Sequence, residues 1–177
     1  MAHSAIVGMT ESGKSSLARK MATAIQKAGI AVIVFDPLGD PAWSECLDPN
    51  NSFITDNEKE FLNYYWSSKN CAVFFDEAGD YATNHNKEMI RTATKGRHWG
   101  HSNYYIAQRG NLLARTIRDQ CSKLYMFTSS KDDAKIYSLE FNDNELLNVP
   151  DLSQGEYYSC GRFNKAVKHI LFKGKSK

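Results

Sequence analysis

The chain has 177 residues, 42% hydrophobic and 24% charged, with a formal net charge of +2. That balance suits one compact domain spanning 1–177 with a full core, and so small a net charge does not announce nucleic-acid binding. Cys46, Cys71, Cys121 and Cys160 are scattered, with no C-x-x-C pair and no zinc-type Cys/His spacing, which fits a reducing compartment.

Ala5-Ile6-Val7 is short and apolar, as in a buried first strand. With a strand so near the N-terminus no signal peptide is expected, and no apolar run approaches the ~20 residues of a membrane span. Gly8-Met9-Thr10-Glu11-Ser12-Gly13-Lys14-Ser15 follows and fills every defined position of the pattern G-x-x-x-x-G-K-[ST]. From Ser16 onward, Leu17, Met21, Ala24, Ile25 and Ala28 recur at helical spacing, and Gly29 closes the helix. Strand, glycine loop and helix together make an anion site, because loop N–H groups and the positive helix end face the same point. Gly8 and Gly13 let the backbone approach phosphate. Lys14 would reach the β- and γ-phosphates of a nucleotide, and Ser15 would hold Mg²⁺. The nucleotide-binding set is Gly8, Met9, Thr10, Glu11, Ser12, Gly13, Lys14, Ser15 and Ser16.

Residues 30–35 read as a buried strand ending at Asp36-Pro37, and 38–55 as polar and turn-rich. Asp56 is expected to cap a helix over 58–66. Residues 71–75 form another buried strand, which ends in Asp76-Glu77. Two acids there have a use beside a phosphate loop: Asp76 serves the Mg²⁺ shell, and Glu77 orients and deprotonates water. A helix is expected over 87–95 and a strand over 103–107, with Gln108 at its end able to reach the γ-phosphate or attacking water. A helix over 112–120, a strand over 123–127 and a helix over 132–140 follow, then a hairpin of 156–160 and 166–172. The alternation predicts an α/β domain, a mostly parallel sheet with helices on both faces and ligand at the carboxyl ends of the strands.

Charge is segregated. Residues 36–60 carry seven acids and one base, whereas 87–123 carry eight bases and two acids. This suggests separate acidic and basic faces. Within the basic stretch, Arg97 in Gly96-Arg97-His98-Trp99-Gly100 is a candidate for stabilising a transferring phosphate across a subunit boundary. Arg91, Arg109, Arg115 and Arg118 are rivals that spacing does not rank.

The glycine loop, Val73-Phe74-Phe75-Asp76-Glu77-Ala78, and the run from Gly96 to Gln108-Arg109 together resemble the HerA–FtsK superfamily of DNA-pumping ATPases. Within it they are most similar to the genome-packaging ATPases of membrane-containing icosahedral viruses. Asp36-Pro37-Leu38-Gly39 fits as well, and the resemblance covers roughly 3–140. It implies a RecA-like (ASCE) P-loop NTPase fold, with Glu77, Gln108 and Arg97 catalytic, Gln108 as sensor and Arg97 acting in trans. It further implies Ser15 and Asp76 as metal residues, ATP and Mg²⁺ as cofactors, and a hexameric or pentameric ring around double-stranded DNA. Virion portal or membrane proteins are implied partners, in the host cytoplasm or at a virion vertex. The small size favours a viral packaging motor and leaves the DNA contacts unassigned; basic segments 87–123 and 162–177 are candidates, with a basic tail over 173–177. The alternatives are a nucleoside or nucleotide kinase, which leaves Glu77 unemployed, and a nucleotide-dependent virion-assembly protein. A guanine-nucleotide switch lacks its Asn-Lys-x-Asp motif.

Overall fold

β1 (His3–Val7) is buried along its whole length, so it needs a strand on either side. In the computed structural model, which describes residues 2–172, those neighbours are β5 (Ser102–Ala107) and β6 (Cys121–Phe127), both parallel to it. β2 (Val32–Phe35), β3 (Ser52–Thr55) and β4 (Ala72–Phe75) extend the parallel sheet beyond β5. The hairpin of β7 (Glu156–Gly161) and β8 (Asn164–Ile170) adds antiparallel to β6. The order is β3-β2-β4-β5-β1-β6-β7-β8.

Strand periodicity divides the core in two. Ile6, Val34 and Phe74 point to one face, where they meet Leu17, Ala18 and Ala22 of α1 (Lys14–Lys27) and Trp43 of α2 (Pro41–Cys46). Ala5, Val7, Val73 and Phe75 point to the other. There they pack on α3 (Glu58–Ser67), α5 (Lys87–Lys95), α6 (Arg115–Gln120) and α7 (Lys131–Phe141) through Phe61, Met89, Ile117 and Tyr137. Each such large side chain contributes about 1.5–3 kcal/mol on burial. A single turn, α4 (Ala78–Tyr81), follows β4.

The structure revises several expected boundaries. The segment 38–55 is not merely turns. Asp40 caps α2 by accepting the Ala42 N–H at 2.9 Å, with Pro41 in the first turn. β3 was hidden because it is a short edge strand, only partly buried. The cap of α3 is Asn57, which accepts the Glu60 N–H at 3.0 Å, rather than Asp56. α6 begins at Arg115 because 110–112 form a 3₁₀ turn. The acid-rich segment 36–60 lies toward the β3 edge, where the Arg19–Asp40 pair neutralises part of it. The tail expected over 173–177 lies outside the described residues. Among the described residues no helix is long and apolar enough to cross a membrane.

His3 opens β1 at the end of the sheet away from the glycine loop. Its Nδ1 accepts the Asn103 N–H at 3.1 Å. Burial, and then the positive charge of Arg97, push its pKa down to about 4. The unfolded chain therefore takes up a proton between pH 6.5 and 4 that the fold refuses, so stability falls as pH drops through that window. The loss is about 3 kcal/mol between pH 7 and pH 4. His3→Asn keeps an acceptor without the titration. Urea unfolding should show the variant losing about 3 kcal/mol less than the parent over that range; equal losses would contradict the assignment.

Candidate functional site

The glycine loop leaves β1 at the carboxyl edge of the sheet and is tied to both neighbouring strands. The Gly8 N–H donates to Ala107 O at 3.2 Å and the Met9 N–H to Thr128 O at 2.8 Å. Gly13 takes φ +117, a conformation that glycine adopts without strain, and α1 starts at Lys14. Gly29, at φ +86, ends that helix as expected. A Cβ on Gly8 would stand 2.5 Å from Phe127 Cβ and 2.7 Å from Ser12 Oγ, so the loop has no room there for a side chain. Ser12 Oγ is buried and has no hydrogen-bond partner among the described residues.

Lys14 is buried, and its ammonium donates to Met9 O at 3.1 Å. Burial holds its pKa below the usual lysine range, while the negative charges of Glu77 and Asp76 pull it back up. Lysine and acids, distant in sequence, therefore share one field. Asp76 is itself buried. Its carboxylate accepts the Trp43 indole N–H at 2.9 Å and the Glu77 N–H at 3.1 Å. Burial raises its pKa, and these two hydrogen bonds oppose the rise.

Glu77 sits at φ 48, ψ 38, a left-handed conformation unusual for a side-chain-bearing residue. This kink turns the chain out of β4. Both Glu77 carboxylate oxygens lie 3.2 Å from Gln108 Nε2. The other end of the same amide, Gln108 Oε1, accepts the Thr10 hydroxyl at 3.1 Å. A single side chain thus joins the glycine loop to the strand-end glutamate. Gln108 can do so because β5 lies between β4 and β1.

Arg97 is not part of this cluster. It precedes β5 while Gln108 follows it, and six strand residues at about 3.3 Å each separate them by about 20 Å. The exposed Arg97 guanidinium donates to Gln120 O at 2.6 Å. Of its rivals, Arg91, Arg115 and Arg118 each pair with an acid of their own chain. Arg109 is exposed and lines a cleft of 150 Å³ with Glu77, Asp80 and Gln108.

Four contributors were not anticipated from sequence. Trp43 anchors Asp76 from a segment read as turns. Gln154 Nε2 donates to Glu11 O at 2.9 Å, and Gly155 N–H to Ser12 O at 3.0 Å. Phe172 lines a cleft of 280 Å³ with Gln154, Glu11 and residues 13–16. None of these residues has a motif of its own.

A family model described as "Helicase HerA, central domain" matches residues 1–159. The chain belongs to this family. It is a P-loop ATPase domain of the HerA–FtsK superfamily, resembling viral packaging ATPases. Among solved structures it is similar to B204, the DNA-packaging ATPase from Sulfolobus turreted icosahedral virus. That match has a TM-score of 0.81 at 16% identity and covers 97% of this chain and 98% of that one. The genome packaging NTPase B204 from Sulfolobus turreted icosahedral virus 2, in complex with ATP-gammaS, gives a TM-score of 0.79 at 16% identity, with 97% and 98% covered. The pCW3 conjugation coupling protein TcpA gives 0.71 at 14% identity, covering 97% of this chain and 60% of that one. At these identities the likeness is one of fold. No curated protein sequence matches the chain.

The crowding at Gly8 is testable. Gly8→Ala overpacks the loop against Phe127, at a cost of about 1–3 kcal/mol, and should abolish binding of a non-hydrolysable ATP analogue in titration calorimetry. At Gly29 a Cβ would meet nothing within 4 Å among the described residues. Gly29→Ala carries only backbone strain of about 1–2 kcal/mol and should bind the analogue normally. Normal binding by Gly8→Ala would overturn this view of the loop.

Proposed function

We propose that the protein hydrolyses ATP and couples hydrolysis to the movement of double-stranded DNA, as a viral genome-packaging motor acting at a virion vertex. The observation that carries this reading is the chain Thr10–Gln108–Glu77. It joins the phosphate loop to the Glu77 carboxylate, which in this reading accepts a proton from water. In the same reading the terminal phosphate displaces one of the two partners of Gln108, which thereby reports which nucleotide is bound. Similarity in fold to proteins described as packaging and coupling ATPases, and membership of the HerA central-domain family, support the DNA role.

The residues also fit Mg²⁺. Among the described residues no cluster of three or more His, Cys, Asp or Glu forms a protein-only cage. Mg²⁺ in phosphate-transfer sites typically borrows phosphate oxygens and needs only one or two protein ligands. Ser15 and Asp76 would supply them, and the bound metal would neutralise charge on the β- and γ-oxygens. Lys14 holds the same phosphates as a fixed charge, and Trp43 keeps the Asp76 carboxylate oriented.

Arg97 is too far from its own Glu77 to serve it, which supports a role toward a neighbour's site in a ring. Head-to-tail contacts of this kind close into rings. DNA would be held through its phosphates, without regard to sequence.

Lys14→Ala should lose ATP binding, whereas Glu77→Gln should bind ATP and fail to hydrolyse it. Arg97→Ala should lower turnover by about 10³–10⁵, the usual worth of an arginine finger. When Arg97→Ala and Glu77→Gln proteins are mixed, hybrid interfaces pair an intact Glu77 with an intact Arg97, and activity should return. Unchanged hydrolysis by Glu77→Gln would remove the water-activating role. No recovery between exchanging subunits would remove the trans role of Arg97.

A further inference from the structure

The sheet order fixes a direction across the site. Glu77 and Gln108, the groups suited to the terminal phosphate, lie on the β4 and β5 side of the glycine loop. A nucleotide with its γ-phosphate there must run its remaining phosphates along residues 13–16 and leave the loop on the opposite side. On that side are β6 and the hairpin that follows it. The cleft there is lined by Glu11, Gly13, Lys14, Ser15, Ser16, Gln154 and Phe172.

This wall is fastened to the loop it faces. Gln154 and Gly155 hold the carbonyls of Glu11 and Ser12. The Leu171 N–H donates to Gly155 O at 2.8 Å, which brings Phe172 back across the loop. The Phe172 ring comes within 3.4 Å of where a Cβ on Gly13 would be. Gly155 takes φ +83, and a Cβ there would collide with the Phe172 carbonyl, so the close return requires glycine. Phe172 is only partly buried, and one part of its surface faces the cleft. Gln154 has its Nε2 engaged and its Oε1 available to a donor.

We infer that Phe172 and Gln154 form the nucleoside subsite, Phe172 stacking on the base and Gln154 Oε1 accepting a hydrogen bond from the nucleoside. This rests on the nucleotide reading of the glycine loop. It assigns a nucleoside-binding role to the C-terminal arm, which lies apart from the phosphate-binding motif. Stacking on an aromatic ring accepts any base face, so the subsite adds affinity for the nucleoside with little discrimination among bases.

The test separates nucleoside binding from phosphate binding. Titration calorimetry on the full chain compares a non-hydrolysable ATP analogue with inorganic tripolyphosphate. Phe172→Leu keeps apolar bulk against Gly13 and removes the aromatic face. It should weaken the ATP analogue about tenfold, within the usual worth of base–aromatic stacking, and leave tripolyphosphate unchanged. Phe172→Trp should restore the analogue's affinity. Lys14→Ala should lose both ligands. Unchanged affinity of Phe172→Leu for the analogue would overturn the subsite. So would an equal loss for both ligands, which would make Phe172 a prop for Gly13. If the parent protein binds neither ligand, the phosphate-loop reading itself fails and the subsite with it.

Discussion

Everything at this site depends on a strand standing between two others. β5 separates the strand that delivers the glycine loop from the strand that delivers Asp76 and Glu77. Without it the acids would crowd the loop directly. With it, Gln108 occupies the gap and bonds to both sides, to Thr10 at 3.1 Å and to Glu77 at 3.2 Å. Under the proposed function, a terminal phosphate entering the loop would replace part of that bridge, and nucleotide state would be converted into a change at the end of β5. The same strand begins beside Arg97, at the edge that lies away from the glycine loop.

The surrounding structure serves to hold a few charged groups in a low-dielectric setting. Asp76 and Lys14 are both buried and both shifted toward neutrality by burial. Each is kept useful by partners: Trp43 and the Glu77 N–H for Asp76, the Met9 carbonyl and the two acids for Lys14. The left-handed turn at Glu77 is consistent with the same economy, since a strained backbone persists only where neighbours over-determine it. On the far side, the returning C-terminal arm closes the loop's outward carbonyls, so the loop is braced from both directions.

The parts legible in the sequence were those with a local signature. The glycine loop, its flanking strand and helix, and the apolar strand ending in Asp76-Glu77 declare themselves by spacing and composition, and the alternation of elements declares the sheet. Gln108 was legible as a position, but its two partners depend on strand order, which no local pattern encodes. Trp43 was hidden because its short helix lies in a polar stretch and its partner is 33 residues away. β3 was hidden because an edge strand with partial burial lacks a strong apolar run. Gln154 and Phe172 were invisible for a related reason: they reach the loop through a hairpin whose register, not its composition, brings them there.

The central claim is that this site turns over ATP with water as acceptor and does so in the service of DNA movement. Its most direct test is the steady-state rate of ATP hydrolysis by the full chain, with Mg²⁺, in the presence and absence of double-stranded DNA. The account predicts hydrolysis that rises on addition of DNA of any sequence, with a stimulation that fades as salt is raised, as phosphate contacts require. An absence of hydrolysis under both conditions, or transfer of phosphate to an added nucleoside in place of water, would contradict it.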